Sequence, residues 1–258
     1  MTEKKASVAI QTVERIASIL RCFTKTDKDL GVMEISREIG IHKSTTSRLL
    51  SALHQEGFVA KNPETGKYRL GLGLVNLAGV VLEKQNLRQA AQEYIRALAE
   101  LTQETINISI LDGEESINIE TIRSPKSISF AGRLGRRTPL YCTSTGKVQL
   151  AFMSPENRER IFSQPLIAYT SSTITDPITL STALDEVRDQ GYAISNEEFE
   201  IGLVAIAAPI WDRSHNLVAA LSITGPTYRM DAETLQSYIP LLTEAAQNIS
   251  KLLGYVNI

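Results

Sequence analysis

The stretch from Met33 to Leu70 constrains the fold most, because two short apolar-patterned segments meet at Gly40 and run into a basic, turn-centred ribbon. Val32, Ile35 and Ile39 recur at the spacing of one helix face. Gly40 is the residue type expected just past a helix end, and after Ile41 and His42 the pattern restarts with Thr46, Leu49, Leu50 and Leu53. A second helix is predicted there. Its opposite side carries Ser44, Ser47, Arg48, Ser51 and Gln55, flanked by Lys43 and Thr45, all hydrogen-bonding residues. Short hydroxyls let a helix come close to a DNA groove, Arg48 can reach guanine edges or phosphates, and free amides at Lys43 to Thr45 suit a phosphate.

Beyond Gly57, Phe58 to Ala60 and Tyr68 to Leu70 flank the turn formed by Asn62, Pro63, Glu64, Thr65 and Gly66, which predicts a β-hairpin. Lys61, Lys67 and Arg69 place positive charge where a wing lies along the DNA backbone. Ahead of the pair, Val13, Ile16, Ala17, Leu20 and Phe23 predict an amphipathic first helix that closes a small core. The expectation for residues 1–72 is a winged helix-turn-helix.

The net charge of -2 hides an asymmetry. Residues 1–73 hold 12 basic and 8 acidic side chains, whereas the remainder holds 15 and 21. A basic module joined to an acidic domain of another kind fits a polyanion partner for the first part only. No apolar run approaches the roughly 20 residues that span a bilayer, and no apolar segment follows the opening MTEKKAS, so neither a membrane partner nor a secretory leader is expected. With only Cys22 and Cys142, the first of them in the amphipathic opening helix, a structural disulfide is not expected and a cytoplasmic location is.

Leu72, Leu74, Val75, Leu77, Ala78, Val81 and Leu82 predict a linker helix over 73–86 with apolar surface to cover on more than one side. From 87 to 258 the texture is α+β. Ala90, Ala91, Tyr94, Ile95, Leu98 and Leu101 form the expected inward face of a helix over 87–102. Ile106, Ile108 and Ile110, then Ile117, Ile119 and Ile122, alternate as strands around Asp112-Gly113. Two more strands are predicted at 203–210 and 217–224 around a polar turn, then a helix over 232–253 capped by Asp231. An antiparallel sheet with helices on one side is the expected arrangement.

Arg133 to Lys147, RLGRRTPLYCTSTGK, is the most chemically suggestive segment of this part. Small hydroxyl residues open a helix there, and the amides of Ser144, Thr145 and Gly146 could hold a carboxylate. Simple capping by Thr143 or Ser144 explains the same residues. Catalytic motifs fail: Tyr141 and Val148 stand where a phosphate-binding loop needs Gly and Ser/Thr, and Cys142 stands where a nucleophile elbow needs Gly. Two cysteines and three scattered histidines give no metal spacing, so no metal, cofactor or catalytic residue is expected. Cys142 as a redox sensor is an alternative reading, as is a metabolite-binding protein or enzyme whose basic N-terminal domain makes protein contacts.

Lys43-Ser44-Thr45, Arg48-Leu49-Leu50, Gly57 and Tyr68-Arg69-Leu70-Gly71 resemble the DNA-binding domain of the isocitrate lyase regulator (IclR) family. Arg133 to Lys147, Ile174-Thr175-Asp176, Gly191-Tyr192, Glu197-Glu198 with Gly202, Ala207-Ala208-Pro209, and Ser222 with Gly225-Pro226 resemble its effector domain. The resemblance spans nearly the whole chain. It implies a winged helix-turn-helix followed by a GAF-like effector-binding domain, acting as a homodimer or dimer of dimers on double-stranded operator DNA. A small-molecule effector, an organic acid or related metabolite, would control repression of a catabolic operon. The family pocket would map to Ser144 and Thr145, Ser195, Glu197 and Glu198, Leu203 and Ala205, and Ser222 and Thr224. Many members have Asp at Ser195 and Cys at Ala205, so this chain lacks an acceptor and a thiol there.

Overall fold

The computed structural model describes residues 2–26, 28–83, 86–126 and 132–256, which divide into two compact units at residues 84 and 85. In the first unit α1 (Thr2–Cys22) and a 3₁₀ turn (Phe23–Lys25) precede α2 (Val32–Ile39) and α3 (Lys43–Gln55). Strands β1 (Val59–Lys61) and β2 (Tyr68–Leu70) pair antiparallel, and α4 (Gly73–Glu83) follows. The core joins Ile19, Cys22, Phe23, Ile35, Leu50, Leu53, Val59 and Tyr68. Gly40, at φ 67°, provides the left-handed turn that ends α2. The winged helix-turn-helix is therefore present, with one pairing beyond expectation: Leu30 exchanges two 2.8 Å backbone hydrogen bonds with Tyr68.

The expected face of α1 needs correction. Val13 is 66% exposed while Ile19 is wholly buried, because only the last turns of α1 lie against the small core. Of the predicted linker helix, residues 84 and 85 and the side chains of Val81 and Leu82 lie outside what is described.

The second unit is built on a sheet of strand order β5-β4-β3-β8-β7-β6, antiparallel at every pairing. Its strands are β3 (Thr105–Asp112), β4 (Glu115–Ile122), β5 (Arg137–Pro139), β6 (Ala193–Asn196), β7 (Leu203–Trp211) and β8 (Leu217–Pro226). Helices α5 (Asn86–Thr102) and α9 (Ala232–Leu252) cover one face; α6 (Ser144–Ala151) and α8 (Pro177–Gln190) cover the other, and α7 (Pro155–Phe162) lies between these two in sequence. Helices on one side only is thus overturned. Ala193, Ala207 and Ala220 join the core around α6 and α8, whereas alternation turns Ile206, Leu221 and Ile223 to the opposite, equally buried face. The inward face of α5 also differs, since Leu101 is 68% exposed and Thr102, four residues after Leu98, takes the buried place.

Candidate nucleic-acid interface and ligand cavity

The fold aims the polar side of α3 outward because Thr46, Leu50 and Leu53 are anchored in the core. Lys43, Ser44, Arg48 and Ser51 are exposed along that side, with Thr45 and Ser47 half-buried at its edges. His42 caps the helix: its Nδ1 accepts from the Ser44 amide at 3.3 Å and lies 2.8 Å from Ser44 Oγ. That cap uses part of the hydrogen-bonding capacity of Ser44, a role for His42 that helix periodicity alone did not supply. On the ribbon Lys61 and Arg69 are exposed, and the Lys61 ammonium sits 5.7 Å from the Tyr68 ring centroid. Lys67 differs, because its Nζ pairs with Glu34 Oε1 at 3.1 Å and ties the ribbon to the start of α2. Glu34 also accepts from the Gly31 amide, and the two bonds hold its carboxyl below the usual carboxylate range.

In the second unit the α6 side of the sheet holds a cavity of about 70 Å³. Adjacent strands supply its floor in register: Ser195 pairs with Ala205, Ala205 with Thr224, and Asn107 with Ser222. Leu203, Ala205 and Phe199 form an apolar wall, Thr143, Ser144 and Thr145 close the α6 end, and Arg136 stands at the edge. The Arg136 guanidinium lies 3.6 Å from Glu200 and 5.5 Å from the Phe199 ring centroid. Two grooves of about 610 and 690 Å³ beside Trp211 are larger. The small cavity is where polar side chains from different elements converge, the usual mark of a specific site.

Three residues of the expected ligand set do not line this cavity. Gly146 does not line the cavity: its amide donates to Thr143 Oγ1 at 3.2 Å, and a Cβ there would collide with the Leu140 backbone. Close packing, not anion binding, accounts for glycine at that position. Glu197, in a left-handed turn at φ 56°, accepts from the Gly202 amide at 2.6 Å and shapes the β6–β7 loop. Glu198 is buried beside the cavity, 2.5 Å from Lys147 Nζ, and its Oε2 has no partner among the described residues. Burial raises the Glu198 carboxyl above its ordinary value despite the opposing pull of Lys147. Thr170 and Thr173 donate to the carbonyls of Glu197 and Glu198 at 2.6 Å each, fixing the loop that carries Phe199.

Asn107, Asn118, Gly132, Arg136, Thr138, Thr143 and Phe199 line the cavity but were absent from the expected ligand set. One signal was available. Thr105, Asn107 and Ser109 alternate with isoleucines, a pattern that suggests a wet face, yet all three are buried. The redox reading of Cys142 is corrected here: burial, reinforced by the Glu198 charge, pushes its thiol up to about 12. A thiol so placed lacks the thiolate character and access that redox sensing needs.

Family profiles match both units: the IclR helix-turn-helix domain over residues 12–63 and the C-terminal domain of the bacterial transcriptional regulator IclR over 79–251. The chain is 37% identical to the HTH-type transcriptional regulator KdgR of Escherichia coli K12, covering 96% of this chain and 94% of that one. It is 32% identical to the HTH-type transcriptional repressor AllR of the same strain, covering 98% and 93%. An IclR homologue of Microbacterium hydrocarbonoxydans complexed with 4-hydroxybenzoate superposes with a TM-score of 0.83 at 27% identity, covering 94% of this chain and 99% of that one. With an outward-facing polar helix in one unit, a polar cavity in the other and a family profile over two thirds of its length, the chain belongs to the IclR family of bacterial transcriptional regulators.

Proposed function

We propose that this regulator represses a catabolic operon and releases its operator when a small organic acid or related metabolite occupies the cavity beside α6. Residues 1–72 contact double-stranded DNA through Lys43, Ser44, Thr45, Ser47, Arg48, Ser51, Lys61 and Arg69, with Lys67 bracing the wing. The helix over 73–86 links them to the sensing domain, 87–258. The observation that carries the reading is the cavity itself: Ser144 and Ser222 are each only 2% exposed, and both line a space bounded by residues of all six strands of the sheet and of α6. Ligand contact falls to Ser144, Thr145, Ser195, Leu203, Ala205, Ser222 and Thr224. AllR is named a repressor and the Microbacterium homologue holds an acid, which supports both halves of the reading.

An effector changes operator affinity only by its difference in affinity between two conformational states. The link helix transmits that difference by resetting the separation of two recognition helices in a homodimer, alone or paired as a tetramer. Regulation and not catalysis is the role, as the names of the HTH-type regulators that the chain resembles suggest, and the cytoplasm is its place. Among the described residues no helix is long and apolar enough to cross a membrane.

Fluorescence anisotropy on DNA from upstream of the gene tests the reading. The parent protein should bind with sequence preference and release when the effector is added. Ser222→Trp should fill the cavity, keep DNA binding and lose the response; an unchanged response in that variant would move the site elsewhere.

A further inference from the structure

The start of α3 is already occupied by the protein itself. The Ser44 amide donates to His42 Nδ1 at 3.3 Å, Ser44 Oγ lies 2.8 Å from the same nitrogen, and the Thr46 amide donates to the His42 carbonyl at 3.0 Å. The Ser44 amide, one of those expected to hold a phosphate, is thus spent on the imidazole. A neutral imidazole has one nitrogen that accepts and one that donates. Because Nδ1 accepts from the amide, the ring proton is on Nε2, and the Ser44 hydroxyl also turns its hydrogen toward Nδ1. Ser44 then offers the solvent side acceptor capacity only.

Nε2 is on the far side of the ring from Nδ1, so its N–H points away from the helix end. It has no hydrogen-bond partner among the described residues, and His42 is exposed. The ring also lies on the polar side of the helix. It rests on Ser44, which shares a face with Arg48 four residues later, while Thr46 and Leu50 turn to the core. A helix-turn-helix meets the duplex with the first residues of its recognition helix, and hydrogen bonds to phosphate fix its register there.

Resting on the reading of α3 as the recognition helix, we propose that His42 is itself a DNA contact, its Nε2–H donating to a phosphate oxygen while its Nδ1 caps the helix. The contact is a neutral donor and not a cation, since an imidazolium would carry a second hydrogen on Nδ1 and turn it against the Ser44 amide. The two nitrogens couple capping to docking: the cap holds the ring still, and the fixed ring holds the helix in register on the backbone. Ser44, left to accept, suits a base amino group better than a phosphate.

Two substitutions in the full-length protein separate the two nitrogens. His42→Ser keeps a capping oxygen and reaches no further, whereas His42→Gln carries an amide N–H toward the place of Nε2 but is not a residue that caps well. Thermal unfolding is read beside anisotropy titration on upstream DNA and on a random-sequence duplex of equal length, at mildly alkaline pH. His42→Ser should keep the unfolding midpoint and weaken binding about five- to thirty-fold on both DNAs, because a phosphate contact carries no sequence information. Its salt dependence should match the parent's, since a neutral donor releases no counterion. His42→Gln should show the reverse split, a lower midpoint with binding close to the parent's. Ethylation interference should mark a phosphate in each half-site that matters to the parent and to His42→Gln and not to His42→Ser. Affinity that follows the unfolding midpoint in both variants makes His42 a cap alone and overturns the proposal. Undiminished binding by His42→Ser also overturns it, as does a salt slope shallower by about one in that variant, the mark of a lost cation. Parent binding without sequence preference would instead strike the reading of α3, and the proposal with it.

Discussion

Arg48 sits on the exposed side of α3 while Thr46, Leu50 and Leu53 hold the opposite side in the core, so its removal leaves the fold alone and tests recognition. Arg48→Ala should cost about 1–3 kcal/mol on the preferred operator and little on random DNA if Arg48 reads a base. Uniform weakening on both, read by anisotropy titration, would make it a phosphate contact. Lys147 poses the opposite kind of test. Its Nζ meets Glu198 at 2.5 Å where both side chains are under a tenth exposed. Burial holds the Glu198 carboxyl above its ordinary value, so the folded state keeps that proton to higher pH than the unfolded chain does. The stabilisation is complete below the unfolded carboxylate pKa and is lost as pH rises through the folded one. Lys147→Met removes the one interaction opposing this strongly, pushes the folded pKa higher still, and should cost about 3–5 kcal/mol near neutral pH. Urea denaturation should show a larger deficit at high pH than at low; equal deficits would mean that the pair is not coupled.

At the scale of elements, the start of α4 is fastened to the end of α3. Gly57, at φ 73°, turns the chain out of α3. The Gly71 amide then donates to Phe58 O at 2.9 Å and the Gly73 amide to Gly57 O at 3.0 Å. A Cβ at Gly71 would collide with the Gly57 carbonyl, so only glycine lets these backbones meet. Movement of α4 is therefore felt at the recognition helix through backbone bonds, not through a slack loop. Gly71→Ala should separate the two segments, lower the stability of the first unit by about 1–3 kcal/mol and blunt the effector response. Calorimetry together with DNA release reads both, and retention of a full response would show that this junction carries nothing.

At the scale of the whole molecule, one compact unit presents a basic polar helix and the other a cavity, and a dimer would bring two such helices to one operator. Helices reading the same face of B-DNA stand about 34 Å apart or a multiple of it. Inserting half a helical turn between operator half-sites should abolish tight binding and a full turn should restore much of it, as read by gel shift. Indifference to spacing would exclude a rigid dimer as the binding species.

Much of this was legible in the sequence because it is written in local chemistry. The two helices around Gly40, the hairpin around Asn62 to Gly66, and the paired strands around Gly113 each announce themselves by period or by a turn residue. Short elements such as β5, β6 and α7 carry too few residues for a period and emerge only from their neighbours. Resemblance placed Ser144, Ser195 and Ser222 together, and their meeting is a matter of sheet register and of where α6 docks. Local pattern marks Asn107 only as a polar residue alternating with isoleucine, which looks solvated until a helix covers that face, and it gives Phe199 no mark at all. By itself the sequence determined the recognition helix, its charge and the class of protein. Only the tertiary structure decided that Glu198 serves Lys147, that Gly146 packs on Leu140, and that Ser222 lies beside Asn107, since those facts depend on contacts between residues 51, six and 115 positions apart.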